Sequence, residues 1–138
     1  MAVGFKVKYY WYQIGTGDFL YSFFSTIAFK LETGKWGSKY PYIMNELYNG
    51  NLQKDHIAMA MKELDVIVSE LKKFPPSEVV WDFEDLSKQP PWGNKISSDI
   101  TDLSNYFVTS DGEDFISVLR CALEDGLKYN EHVCIESL

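Results

Sequence analysis

Cysteine, histidine and long apolar runs are all scarce in this chain of 138 residues. The two cysteines, Cys121 and Cys134, are too few for the disulfide framework of a small secreted domain. The two histidines, His56 and His132, share no metal-ligand spacing with them. No segment approaches the roughly 18 uninterrupted apolar residues of a membrane span, and the first residues lack the pattern of a signal peptide. We therefore expect a cytoplasmic protein with no metal, no cofactor and no membrane contact.

Basic residues are outnumbered, with 13 Lys and Arg against 20 Asp and Glu and a net charge of -7. A nucleic-acid-binding protein needs a basic footprint, so nucleic acid is not an expected partner. The excess acid is uneven: residues 1–74 carry nine lysines against seven acids, and residues 75–138 carry four basic residues against thirteen acids. An acidic half attracts a basic partner, but it also simply keeps a small protein dissolved. Both interpretations stay open.

The composition fits one globular domain spanning residues 1–138, since 46% of the residues are hydrophobic and 24% are charged. Apolar and polar residues alternate from Val3 to Tyr12, which predicts one long strand. The run Gly15-Thr16-Gly17 ends that strand, and Asp18 can cap the helix that follows.

Four segments have the spacing of helices. Apolar residues recur at three- and four-residue steps in residues 19–31, 57–71 and 115–127, and Pro41 opens a short helix over residues 42–47. Asn51 is placed to cap the second long helix, and Ser110 with Glu113 matches the capping box of the third. Leu127 is expected on the buried side of that third helix.

Three further segments have the composition of strands: residues 79–83, residues 106–109 and residues 132–135. A helical turn is expected at Ile96 and Ile100, between the first two of them. Because strands and helices do not alternate regularly, we predict an α+β fold. It consists of an antiparallel or mixed sheet of about four strands with helices packed on one face.

Motifs that would specify catalysis are weak. The glycines at 15 and 17 invite a phosphate-loop interpretation, but no third glycine or lysine follows. Asp82 and Glu84 would share one face of a strand, without the glycine-bearing loop of a calcium site, so a solvated edge or an acidic partner-binding patch is favoured. Cys134 lies two residues from His132, which leaves a small hydrolase or ligand-binding enzyme as the alternative function, using this pair or the two carboxylates.

Aromatic residues are abundant, at 16% of the chain. Trp36 and Trp92 lie in polar, glycine-flanked loops, where each either covers the core or is exposed as an anchor for a partner. Acidic groups beside rigid aromatic anchors are typical of a protein-binding module. We expect the partner-binding residues to be one aromatic anchor and five acids, namely Trp92, Asp82, Glu84, Asp85, Asp99 and Asp102.

Three stretches carry a resemblance to a known family. They are residues 3–19, residues 81–93 and residues 101–112. In that order they are similar to the bacterial immunity proteins of the immunity protein 70 family. The resemblance implies a non-enzymatic antidote, made in the cytosol beside a cognate toxin and blocking the toxin domain by direct binding. It transfers no functional residues, so the expected site depends on charge and aromatic residues alone.

Overall fold

Four antiparallel strands form one sheet in the computed structural model, which describes residues 2–137. The strands are β1 (Ala2–Val7), β2 (Tyr10–Thr16), β3 (Asn51–Leu52) and β4 (Val133–Ser137). Their order across the sheet is β2-β1-β4-β3. The predicted α+β fold, with a sheet of four strands, is confirmed, and β4 confirms the strand predicted near the C-terminus.

The predicted single strand from Val3 to Tyr12 is wrong, because the chain reverses at Lys8 and Tyr9 and pairs β1 with β2. Lys8 adopts a φ of 57°, the left-handed conformation that such a tight hairpin needs and that glycine or asparagine usually supplies. The reversal also shifts the alternation. Trp11 faces Lys6 across the hairpin, on the side of the sheet opposite Phe5.

The predicted helices are confirmed. The long ones are α1 (Gly17–Thr26), which continues as a π-helical stretch (Ile27–Leu31), α2 (Ile57–Leu71) and α3 (Phe115–Tyr129). The short helix after Pro41 is π-helical (Tyr42–Leu47), and single 3-10 turns occupy Lys54–His56 and Pro76–Glu78. Within residues 2–137, no helix combines the length and apolar character needed to cross a membrane.

Two predicted helix caps are wrong, one because a neighbouring residue takes the role and one because the residue lies in a strand. The Thr16 hydroxyl accepts from the Phe19 backbone N–H at 3.2 Å, so Thr16, not Asp18, caps α1. Asp18 lies inside the first turn instead, where its negative charge complements the helix dipole. Asn51 caps no helix, since it pairs with Cys134 in the sheet.

The predicted capping box of α3 is wrong as well. Asp114 is the cap, and its carboxylate accepts from the Ser117 backbone N–H at 3.1 Å. Ser110 and Glu113 lie before it in a loop. Leu127, expected on the buried side, is 47% exposed, because the buried stripe of α3 turns away from it toward the end of the helix.

The predicted strands at residues 79–83 and 106–109 are wrong. Residues 72–114 form a long irregular segment with one 3-10 turn, and Val108 makes only an isolated bridge with Asp114. The backbone N–H and C=O of Val80 are instead bonded to side chains of α1. Between Ile96 and Ile100 the chain makes one hydrogen-bonded turn and no helix.

The core lies between the sheet and the helices that pack against β1 and β2, namely α1 and α3. Its centre is aromatic: the rings of Phe23 and Phe115 are 4.5 Å apart, and Phe5 on β1 contacts Phe115 at 5.9 Å. Phe107 of the irregular segment packs edge-on against Phe23 at 5.4 Å. Much of the aromatic excess is therefore core, and the segment is tied to it.

Candidate functional site

Three of the expected acids lie together in one exposed turn, which we call the 82–88 turn. The Asp82 carboxylate accepts from the backbone N–H groups of Glu84 at 2.9 Å and Asp85 at 3.2 Å, and its other oxygen lies 3.4 Å from the Lys88 ammonium. Asp82 therefore holds the turn. Glu84 is exposed, and its carboxylate has no hydrogen-bond or ion-pair partner within the described part of the chain.

Asp85 is fixed by its own neighbour. Its carboxylate accepts from the Ser87 hydroxyl at 2.5 Å and from the Ser87 backbone N–H at 3.1 Å. These bonds, the hydroxyl's first, hold the pKa of Asp85 below its usual value. The charge of Asp85 is thus presented to solvent in one orientation.

The other two expected acids lie in a second loop. Asn105 organises it, since its amide oxygen accepts from the Asp102 backbone N–H at 3.2 Å and its amide nitrogen donates to the Asp99 carbonyl at 3.1 Å. Burial acts to raise the pKa of Asp102, but hydrogen bonds from Ser104 and Thr101 outweigh it and lower that pKa. Asp99 is exposed, whereas Asp102 is half-buried.

Trp92 lies against residues that adjoin both loops. Its ring packs edge-on against Trp81, the residue before Asp82, at 5.4 Å. Its indole N–H donates to the Tyr106 hydroxyl at 2.8 Å. The side chain is 37% exposed, so it is anchored on one side and open on the other.

Trp36 is the other tryptophan that lies in a polar loop. Its indole N–H donates to the Met44 carbonyl at 2.8 Å, and its ring packs against Tyr21 at 6.0 Å, Tyr48 at 4.9 Å and Phe83 at 5.4 Å. Trp36 therefore covers the core. We call the four residues Tyr21, Trp36, Tyr48 and Phe83 the aromatic cluster.

The aromatic cluster adjoins the 82–88 turn, a contact that the spacing of residues in the sequence does not predict. Burial raises the pKa of Tyr48, and the negative charge of Glu84 adds to the effect. The pKa of Tyr21 is raised by burial first, then by Glu84 and Asp82. One feature of the sequence pointed to this cluster: position 21 of α1 is aromatic although it lies off the buried stripe of the helix.

The structure gives the alternative catalytic pair no activated nucleophile. The Cys134 thiol points to the Asn51 amide oxygen at 3.9 Å, and the His132 ring nitrogen Nδ1 accepts from the Lys54 backbone N–H at 3.0 Å. Burial, and then Glu136, raises the pKa of Cys134, so the thiol stays protonated. Across residues 2–137, no group of three or more His, Cys, Asp or Glu side chains is placed to hold a metal ion.

Comparison with known proteins agrees with the resemblance seen in the sequence. The model of the family described as Immunity protein 70 matches residues 5–135, so the match runs from β1 to β4 and includes both acidic loops. No curated protein and no solved structure matches the chain. Because the family model covers nearly the whole length, the chain belongs to the immunity protein 70 family.

Proposed function

We propose that this chain is an antidote that binds a cognate bacterial toxin domain in the cytosol and neutralises it by covering its functional surface. The observation that carries the proposal is the match of residues 5–135 to a family of immunity proteins. In this role the protein transforms no substrate. Its activity is the affinity and speed with which it captures another polypeptide.

The acidic loops support a particular kind of toxin surface. In the 82–88 turn and the loop carrying Asp99 and Asp102, local hydrogen bonds fix the carboxylates of Asp82, Asp85 and Asp102. Fixed charges cost less ordering on binding than mobile ones. They complement a basic surface, such as the substrate groove of a nuclease, and speed the encounter with it.

Trp92 supplies the apolar part of the proposed contact. Its open side adjoins Ile96 and Ile100, which line a shallow groove with Tyr106 beneath. Aromatic side chains held in one orientation dominate the binding energy of protein interfaces. Lys95 also lines the groove, so the proposed interface combines this aromatic anchor with the acids of the two neighbouring loops.

Co-expression tests the proposal. The chain is produced in a bacterial host together with the toxin domain encoded by the adjacent gene, and growth and co-purification are both scored. We expect restored growth and a stable complex, whereas a toxin domain from an unrelated system should be neither neutralised nor co-purified. Continued growth arrest and no complex, with the folded chain present, would overturn the proposal.

A further inference from the structure

Tyr48 stands at the open rim of the aromatic cluster. It is 38% exposed, yet its ring is held from below by the buried Phe24 and from the side by Trp36, each with a ring-centroid distance of 4.9 Å. Tyr21 lies beside it at 6.3 Å and stacks on Trp36. The rim therefore presents aromatic surface in one fixed arrangement.

The negative charge at this rim is not balanced from within. Glu84 directly follows Phe83, whose ring packs on Trp36 at 5.4 Å and whose backbone N–H donates to the Ser25 hydroxyl at 3.1 Å, one helical turn from Tyr21. Its charge helps to raise the pKa of both tyrosines, and among the described residues no lysine lies over either ring. The nearest cation of the turn, Lys88, is paired with Asp82 at 3.4 Å. The exposed Glu84 carboxylate beside these aromatic rings is therefore available to bind a cation that the described residues do not supply.

We propose that Glu84, Tyr21 and Tyr48 form a recognition site for one arginine side chain of the toxin, an inference that rests on the proposed function. A guanidinium stacks its flat face on an aromatic ring while its N–H groups donate to a carboxylate. A lysine ammonium lacks the flat face, and a single carboxylate is a poor ligand set for a divalent metal. Arginine is therefore the side chain that fits both features.

A second copy of this chain is not the source of the arginine. The sequence contains one arginine, Arg120. Its guanidinium lies 2.7 Å from the Asp65 carboxylate and is only about one-third exposed. The arginine must come from another protein, which in the proposed function is the toxin.

The site is tested first without the toxin. The probes are N-acetyl-arginine methylamide, its lysine analogue and its citrulline analogue, which keeps the shape of arginine but lacks the charge. Tyrosine ring signals are followed by NMR in the full chain. We expect arginine to shift the signals of Tyr21 and Tyr48 more than lysine does, citrulline to shift neither, and Tyr9 to stay unchanged. Equal shifts with citrulline would overturn the site.

Substitutions give the second readout. Glu84→Gln and Tyr48→Leu should each weaken arginine binding about two- to fivefold, the size of an exposed cation–π or charge-assisted contact. Glu113→Gln and Tyr9→Leu are the matched controls, because both residues are exposed and lie outside the cluster. Unchanged binding in the folded Glu84→Gln variant contradicts the proposal.

The toxin then separates the two proposals. If the wild-type chain captures the toxin and Glu84→Gln captures it equally well, the arginine site is wrong and the proposed function stands. If arginine binds at Tyr48 but the chain neither captures nor neutralises the toxin, the proposed function fails. Tyr48→Phe should retain toxin binding, because the ring face is preserved.

Discussion

The Thr26 hydroxyl lies 3.0 Å from the backbone nitrogen of Val80 and 3.1 Å from its carbonyl oxygen. One buried side chain on α1 thus serves both polar backbone groups of a residue 54 positions away. Ser22 donates to the same carbonyl at 3.0 Å. These bonds anchor the irregular segment just before the 82–88 turn, so they position the candidate site.

Thr26→Val keeps the shape of the side chain and removes the hydroxyl. We expect a loss of about 1–3 kcal/mol in the free energy of unfolding, because the buried Val80 N–H is left without a partner. Urea unfolding measures it. Ser98→Ala is the control, since it removes an exposed hydroxyl, and should cost under about 0.5 kcal/mol. Equal stability in the two variants would show that the anchor contributes nothing.

Gly4 lets the Trp11 ring and the Tyr12 backbone of β2 approach β1 closely. A Cβ placed there would lie 2.5 Å from the Tyr12 carbonyl oxygen and 2.6 Å from the Trp11 ring. Gly4→Ala should therefore destabilise the protein by about 1–3 kcal/mol. Gly17→Ala, at a position with open space, should be neutral or stabilising. Thermal unfolding compares them, and a neutral Gly4→Ala would contradict the packing described.

The hairpin turn carries a correctable strain. Lys8 has a φ of 57°, a conformation that costs a residue with a Cβ about 1 kcal/mol relative to glycine. Lys8→Gly should thus raise the free energy of unfolding by about 0.5–1 kcal/mol. Lys6→Gly, in the middle of β1, should lower it instead. Effects of the same sign at both positions would show that the turn is not strained at Lys8.

Ser87→Ala should raise the pKa of Asp85 toward the value of a free aspartate, because the hydroxyl is the largest cause of its lowering. A lowered pKa means that this contact stabilises the folded state above the unfolded pKa and is lost as the pH falls through the folded one. An NMR titration of the Asp85 carboxyl measures the change. Ser97→Ala, beside Asp99, should leave that titration unmoved, and an unchanged Asp85 in Ser87→Ala would rule out the contact.

The long helices were predictable because their apolar spacing is continuous. Residues 79–83 were not: their composition is that of a strand, but Thr26 and Ser22 take the hydrogen bonds that a neighbouring strand would have made. Such a contact depends on the tertiary fold and leaves no local pattern. The hairpin has no local signal either, since neither Lys8 nor Tyr9 is one of the residue types that usually mark a turn.

The candidate site was predictable in part. The acids of the 82–88 turn are close in sequence, so their proximity needed no fold. The aromatic cluster joins α1, a loop, the residue after the π-helical stretch and the irregular segment, and only the fold brings these together. Nor does the sequence show which carboxylates are hydrogen-bonded, as that of Asp82 is, and which have no partner within residues 2–137, as is the case for that of Glu84.

The most direct measurement is the association rate of the purified chain with its cognate toxin domain, followed as a function of salt. Glu84→Lys and Asp99→Lys reverse exposed charges without removing the Asp82 carboxylate that holds the turn. Each should slow association about tenfold at low salt and flatten its salt dependence. Glu136 pairs with Gly4 and is exposed on the face of the sheet opposite Phe5 and the core. Glu136→Lys should therefore leave both the association rate and its salt dependence unchanged. Association rates and salt dependence that match the wild type in both folded variants would contradict capture through the acidic loops.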